Sequence, residues 1–186
     1  MRLACRSGVL CGEEKLTNGR FRCAVAGNHV GGSGLLAMKD LAKLCASCGL
    51  RSVRTYIQSG NVVFESSRSE DAIRVRLEKA LATKMGKKID LMVRTALEME
   101  ELLKRNPFPE KEPAKVGVMF LSEAPAKDLL DRVVAPGGEL VKPGRREVYV
   151  YYPEGMGRSK LKLPLTGAVT VRNINTVAKL AAMAHE

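Results

Sequence analysis

The sequence predicts an α+β fold in which two pseudo-repeated βαββαβ units, each ferredoxin-like, pack into one compact body. Two observations support this prediction. The order strand, helix, strand, strand, helix, strand is found across residues 21–94 and again across residues 115–172. The chain has 186 residues, so each unit is small, and a surface shared between the units would help to stabilise both.

The first unit begins with a short apolar run that predicts a strand over residues 21–25. Apolar residues then recur at helical spacing over 38–48, and Gly49 follows where a left-handed helix cap is least costly. Apolar and polar residues alternate over 53–58, and a Ser-Gly turn separates them from an extended run at 61–64. This pattern predicts a β-hairpin.

A second helix and a fourth strand complete the first unit. Ser67 and Glu70 have the spacing of a capping box at a helix start. The apolar positions of this helix are Ile73, Leu77, Ala80 and Leu81. Residues 89–93 predict the last strand, and residues 97–103 predict a short connecting helix.

A proline-rich segment divides the chain. Three prolines within residues 106–114 exclude a helix there and favour an extended linker. We therefore expect a first subdomain at 21–105, including the connecting helix, and a second at 115–186. Residues 1–20 precede the first strand, and we expect them to be a disordered basic extension or a misassigned start.

The second unit repeats the order of the first. The pattern predicts a strand at 116–121, a helix at about 125–134, a hairpin whose better strand is 146–152, a short helix near 158–161, a strand at 169–171 and a terminal helix. Asn173 or Asn175 is the expected N-cap of the terminal helix. Its apolar face consists of Val177, Leu180, Ala181 and Ala184.

The charge of the chain favours anionic partners. There are 31 Lys and Arg residues against 20 Asp and Glu residues, which gives a net charge of +11. Residues 142–179 contain eight basic and two acidic side chains, so this part carries more than half of the surplus. No apolar run has the length of a membrane span, and residues 1–20 lack the apolar core of a secretory signal. We expect a cytoplasmic protein that does not bind membranes.

Cys45 and Cys48 have the spacing of a redox or metal motif. They fall in the last turn of a predicted helix, where the dipole disfavours a thiolate, and on its apolar stripe. The chain has only two histidines, His29 and His185, to complete a tetrahedral metal site. We therefore expect both cysteines to be buried core residues, and we assign no metal, cofactor or catalytic residue.

The glycine-rich segment at residues 27–34 permits two interpretations. Glycines at a helix start let backbone N–H groups approach an anion, but no lysine follows Gly32, so the segment is not a phosphate-binding loop of known type. A flexible turn between strand and helix is the alternative. His29 lies in this segment, without a recognisable nucleophile or paired carboxylate beside it.

Two predicted helix starts in the second unit indicate an anion site. Gly155 and Gly157 come before Arg158, Ser159 and Lys160, and basic residues at a helix start oppose the dipole unless they have another purpose. A second start follows Arg172 and includes Asn173 and Asn175. The two starts would face one anion. The alternative is ordinary capping and a solvated basic face.

Tyr149 and Tyr151 alternate with Val148 and Val150, so the two pairs face opposite sides of a strand. Outward aromatic residues on a sheet of this topology stack on RNA bases. The chain does not match the RNA-recognition consensus, so packing between the two units is the favoured interpretation.

Five segments resemble the domain-of-unknown-function family 1697. They are Thr55-Tyr56-Ile57-Gln58-Ser59-Gly60-Asn61-Val62-Val63-Phe64, Val93-Arg94-Thr95, Asn106-Pro107-Phe108, Gly157-Arg158-Ser159-Lys160-Leu161 and Arg172-Asn173-Ile174-Asn175-Thr176. The resemblance runs from about residue 21 to residue 184. It implies a compact α+β protein of two similar subdomains, common in bacteria, with no established activity.

The first glycine loop departs from the family pattern, which usually reads Arg-Gly-Ile-Asn-Val-Gly-Gly and continues with a lysine. In this chain Ala26, Asn28 and His29 replace the arginine, isoleucine and asparagine, and Leu35 replaces the lysine. The departure weakens the case for an anion site on this loop.

Three functions remain. The first is non-catalytic binding of an anionic ligand, with nucleic acid as one such ligand, through the basic residues of the second unit. The second is an enzyme that acts on a small phosphorylated or carboxylated metabolite, with Gln58, Asn61 and His29 as polar candidates. The third is a protein-interaction module whose exposed sheet face binds another protein or a second copy, suggested by Tyr56 with Arg54 and by Tyr149 with Tyr151.

Overall fold

The computed structural model describes residues 36–186 and the backbone of strand 21–27, and all structural statements concern these residues. The strands are β1 (Phe21–Gly27), β2 (Arg51–Tyr56), β3 (Asn61–Ser66), β4 (Leu91–Thr95), β5 (Val116–Leu121), β6 (Leu140–Pro143), β7 (Glu147–Tyr151) and β8 (Val169–Asn173). The helices are α1 (Met38–Ser47), α2 (Glu70–Met85), α3 (Ala96–Lys104) and α4 (Ile174–His185). Within this part of the chain, each helix is too short or too polar to cross a bilayer.

The strands form two antiparallel sheets of four strands each. The order in the first sheet is β2-β3-β1-β4, and the order in the second is β6-β7-β5-β8. In the first sheet Val25 of β1 lies opposite Val62 and Val93, and in the second Val118 of β5 lies opposite Tyr149 and Arg172. The fold is therefore a mixed α/β fold of four helices and two sheets.

Helices α1 and α2 cover the outer face of the first sheet. Ile73, Leu77 and Leu81 recur every four residues along α2, and all three are buried against strand residues such as Val62 and Phe64. Burying each side chain of this size contributes about 1.5–3 kcal/mol. Residues at this spacing share one helix face, so the periodicity in the sequence predicted this layer correctly.

Helices α3 and α4 lie between the two sheets and form the central core with them. This core joins Val63 and Met92 of the first sheet to Val118, Phe120 and Tyr149 of the second. The helices contribute Met99, Leu102, Ile174, Val177, Leu180, Ala181, Met183 and Ala184. The two halves of the chain therefore share one hydrophobic interior.

Tyr149 confirms that the tyrosines of β7 pack between the halves. Its side chain is 2% exposed, and its hydroxyl donates a 2.8 Å hydrogen bond to the Leu102 carbonyl of α3. Val148 and Val150 face the opposite side of the second sheet, as the alternation predicted.

The helices predicted at 125–134 and 158–161 are wrong. The structure has turns with one three-residue 3-10 helix at Leu130–Arg132 and another at Met156–Arg158. Val134 and Lys162 pair in an antiparallel bridge, with N···O distances of 3.1 and 2.9 Å, and this pairing requires extended backbone. Pro164 also opposes a helix in the second segment. Since these helices are absent from the described second half, the ferredoxin-like duplication is not confirmed.

Irregular segments cover the outer face of the second sheet instead. Leu129, Leu161, Leu163 and Leu165 pack there against Val148 and Val150. Two smaller corrections concern helix α2 and the linker. The N-cap of α2 is Ser69, which accepts a 3.3 Å hydrogen bond from the Ala72 N–H, rather than Ser67. The linker contributes Phe108 to the central core, where its ring lies 6.3 Å from that of Tyr151.

Candidate functional site

The positively charged side chain of Arg94 extends from β4 of the first sheet to the end of β5 in the second. Its side chain is buried, and its guanidinium donates hydrogen bonds to the carbonyl oxygens of Leu121 at 2.6 Å, Arg146 at 3.1 Å and Val93 at 2.8 Å. Burial, reinforced by the charge of Arg146, lowers the pKa of Arg94. The residue therefore has a structural use at the junction of the halves.

Arg146 forms the second connection between the halves. It donates hydrogen bonds to both carboxylate oxygens of Glu70 at 2.8 and 3.0 Å, and to Glu98 at 2.5 Å. Glu98 also completes the capping box of α3 with Thr95. Burial would raise the pKa of Glu98, but hydrogen bonds from Thr95 and Arg146 outweigh it and lower the pKa. Glu98 thus stays ionised beside Arg146.

Arg172, a predicted ligand residue, forms the third connection. It is 8% exposed, and it donates 2.6 Å hydrogen bonds to the Asn61 side-chain oxygen and to the Ser59 carbonyl oxygen. Thr170 and the Val171 carbonyl accept further hydrogen bonds. Burial lowers the pKa of Arg172 to about 10. The structure therefore brings Arg172 and Asn61 together, but in a contact between the halves.

The other polar candidates of the sequence lie outside the lining of the pocket described next. Asn173 caps α4 by accepting a 2.9 Å hydrogen bond from the Asn175 N–H. Its side-chain amide also donates to the Pro113 and Ala114 carbonyl oxygens. Asn175 is exposed in the first turn of α4, and Gln58 is exposed between β2 and β3.

Arg158, Ser159 and Lys160 line one pocket on the outer side of the second half, which we call the outer pocket. Its volume is about 310 Å³, and its other walls include Glu139 and Tyr152. Arg158 and Lys160 are both exposed, and neither forms an ion pair with the residues that the structure describes. Two cations are therefore available at the mouth of a concave site.

The helix start predicted at Arg158 is wrong, so the site has no helix N-terminus of its own. The 3-10 helix at Met156–Arg158 is a single turn, and Ser159 and Lys160 follow it. The Arg158 and Ser159 N–H groups donate to the carbonyl oxygens of Gly155 and Met156. Any attraction for an anion must come chiefly from the two cationic side chains.

Glu139 is the residue of the outer pocket that the sequence did not indicate. Its side chain is 7% exposed, and it accepts hydrogen bonds from the Ser159 hydroxyl at 2.5 Å and the Gly137 N–H at 2.9 Å. The bond from Ser159 foremost, together with backbone N–H donors, lowers the pKa of Glu139. The Ser159 hydroxyl comes from a residue twenty positions away, so no local sequence pattern predicts this contact.

The cysteine pair is buried beneath α1, as expected. Burial, together with the neighbouring Cys48, raises the pKa of Cys45 to about 12, so its thiol stays protonated near neutral pH. Among the residues that the structure describes, no group of three potential ligands is placed to hold a metal ion. His29 and most of the glycine loop lie outside the described residues.

These features define a mixed α/β protein of two sheets that buried arginines join, with a basic pocket on the second half. A family model described as "Protein of unknown function (DUF1697)" matches residues 26–149, which is more than half of the chain. The chain belongs to this family.

One solved structure has the same fold. It is a conserved bacterial protein, SP0830 from Streptococcus pneumoniae, with 22% sequence identity and a TM-score of 0.72. The match covers 89% of this chain and 99% of that one. No curated protein gives a significant match. The similarity at this identity concerns the fold.

Proposed function

We propose that the protein binds an anionic ligand in the outer pocket through Arg158 and Lys160. The observation that carries the proposal is the position of two exposed cations, without ion-pair partners among the described residues, at a cavity of about 310 Å³. The net charge of +11 favours the approach of anions from solution.

Side-chain chemistry favours a phosphate group as the anion. The planar guanidinium of Arg158 matches two phosphate oxygens, and the ammonium of Lys160 adds a second positive charge. Hydrogen bonds to charged groups contribute about 1.5–3 kcal/mol each. The carboxylates of Glu139 and Glu154 lie in the same pocket and oppose this attraction, so we expect only modest affinity for a simple anion.

Three of the remaining predicted site residues have structural roles instead of ligand contacts. Arg172 and Asn61 hold the halves together, and Asn173 ties α4 to the segment before β5. We therefore assign ligand contact to Arg158 and Lys160, and to Ser159 a role in positioning Glu139. The structure weakens the argument for an interaction module, because Tyr149 is buried with its hydroxyl bonded to the Leu102 carbonyl oxygen, and Tyr56 packs against the central core.

Calorimetric titration with inorganic phosphate at low salt tests the proposal. The double variant Arg158→Ala/Lys160→Ala should lose most of the binding, at least tenfold in affinity. The matched control is Arg51→Ala/Lys43→Ala, which removes one exposed arginine and one exposed lysine from the first half of the chain. Equal affinities of the two double variants would contradict the proposal.

The same site would also bind nucleic acid, a larger ligand, through the phosphates of its backbone. Binding of a single-stranded oligonucleotide should weaken with added salt, because phosphate contacts release counterions. The Arg158→Ala/Lys160→Ala variant should show a slope of log affinity against log salt that is smaller by about 1–2 units. An unchanged slope would remove nucleic acid from the ligands of this pocket.

We also infer that both halves follow one βαββαβ plan. What supports this is the matching position of the first strand of each half, β1 or β5, between the third and fourth strands of its sheet. In the second half, irregular segments occupy the places of the helices, and the outer pocket lies among them.

A further inference from the structure

Glu139 is an ionised, buried side chain without a counter-ion among the residues that the structure describes. Its hydrogen-bond donors are the neutral Ser159 hydroxyl and the Gly137 N–H, and it forms no ion pair with any residue in the described part of the chain. Covering a carboxylate without a positive partner is unfavourable. The same pocket contains Arg158 and Lys160, but neither lies within ion-pair distance of Glu139.

Both signs of charge in one pocket select against simple ions. Glu139 and the exposed Glu154, which also lines the pocket, repel a ligand that carries only negative charge, and Arg158 and Lys160 repel one that carries only positive charge. A ligand with both signs, in matching positions, satisfies the acidic and the basic side chains together. The charge count favours a phosphate as the anion, because a phosphate monoester dianion balances two cations whereas a carboxylate balances one.

We propose that the ligand of the outer pocket is an aminoalkyl phosphate, a small molecule whose ammonium group contacts Glu139 while its phosphate contacts Arg158 and Lys160. This inference rests on the proposed function and adds the class of ligand to it.

The carboxylate has room for such a ligand. The two oxygens of Glu139 offer about four acceptor positions, and Ser159 and Gly137 use one each. Ser159 also accepts a 3.1 Å hydrogen bond from the Leu161 N–H, which fixes its hydroxyl toward Glu139. The low pKa of Glu139 keeps the carboxylate negative at neutral pH.

The walls of the pocket suit a short carbon linker. Tyr152 and Pro153 belong to the lining and add apolar surface to it. A volume of about 310 Å³ is at the lower end of the range for small-molecule sites, so the pocket fits a compact ligand.

Titration of the wild-type chain with three probes tests the inference. O-Phosphoethanolamine carries both charges, ethyl phosphate has nearly the same shape without the ammonium, and inorganic phosphate lacks the linker as well. We expect O-phosphoethanolamine to bind at least tenfold more tightly than ethyl phosphate, because a charged hydrogen bond is lost with the ammonium.

The variant Glu139→Gln should reverse this preference. It removes the negative charge, so ethyl phosphate should bind more tightly to it than to wild type, while O-phosphoethanolamine should bind at least tenfold less tightly. A thermal unfolding curve checks that the variant folds. Should it not fold, the comparison of probes on the wild-type chain decides alone.

The outcomes separate the inference from the proposed function. Equal affinity of wild type for ethyl phosphate and O-phosphoethanolamine would overturn the aminoalkyl phosphate and leave the anion site standing. Failure of all three phosphates to bind would overturn both.

Discussion

Arg172 connects β8 of the second sheet to the turn after β2 of the first, so its replacement measures how strongly this contact holds the halves together. Arg172→Met keeps most of the apolar stem and removes every donor. The substitution removes the hydrogen-bond donor of two oxygens, the Asn61 side-chain oxygen and the Ser59 carbonyl oxygen. Each lies 2.6 Å from the guanidinium. A buried acceptor left without a partner costs about 1–3 kcal/mol, so the two together cost about 2–6 kcal/mol.

One effect reduces this loss. The guanidinium is buried, and its removal also removes the cost of taking its charge out of water. We therefore expect Arg172→Met to lower the free energy of unfolding by about 2–4 kcal/mol, in the lower part of that range. Urea denaturation measures this difference, with the exposed Arg158→Met as matched control, for which a change within about 0.5 kcal/mol is expected.

A double-mutant cycle isolates the contact itself. Combining Arg172→Met with Asn61→Ala should give a coupling energy of about 1–3 kcal/mol, because both single variants break the same hydrogen bond. If Arg172→Met destabilises no more than Arg158→Met does, the assignment of Arg172 to the junction is refuted.

Three further predictions concern local structure and pH. Gly155 has a φ of +81°, which residues with a side chain rarely adopt, so Gly155→Ala should lower the free energy of unfolding by about 1–3 kcal/mol. Gly157 also lies in open space but has no positive φ, so Gly157→Ala should be near neutral. Urea denaturation compares the two variants. Ser69→Ala should cost about 1 kcal/mol through loss of the α2 cap, and an equal loss from Ser67→Ala would contradict the assigned N-cap. The pKa of Cys45 is raised to about 12 from 9.0, so its contribution to stability is complete below pH 9 and is lost as pH rises toward 12. Wild type should therefore lose about 1.4 kcal/mol more per pH unit than Cys45→Ala between about pH 9.5 and 10.5, and parallel curves would refute the shift.

Elements with strong local signals were predictable from the sequence. The spacing of Ile73, Leu77 and Leu81 predicts α2, and the alternation through Val148 and Tyr149 predicts a strand with two different faces. In both cases the period of side-chain burial follows from backbone geometry alone. The prediction therefore needed no knowledge of the partner surface.

The outer layer of the second half was not predictable in this way. Leu129 is buried and Leu161 is partly buried, as helix residues would be, but the pairing of Val134 with Lys162 fixes their segments in irregular and extended form. This pairing joins positions 28 residues apart. Local propensity is a weak guide where such a tertiary contact competes with it.

In the candidate site, too, the sequence predicted residues with a local signal and missed those that depend on tertiary contacts. The sequence indicated Arg158 and Lys160, and the structure places both at one pocket. It also indicated Arg172, whose charge has the same local signal but whose hydrogen bonds cross to Asn61. Glu139 had no signal, because the donors around it are a backbone N–H and a hydroxyl from a distant segment.

Amide chemical shifts during a titration with inorganic phosphate test the central claim most directly, because they locate binding as well as detect it. The proposal predicts concentration-dependent shifts at Gly137, Gly155, Ser159 and their neighbours in the outer pocket, with saturation, and loss of these shifts in Arg158→Ala/Lys160→Ala. Shifts confined to other surfaces, or no saturable shifts at low salt, would contradict it.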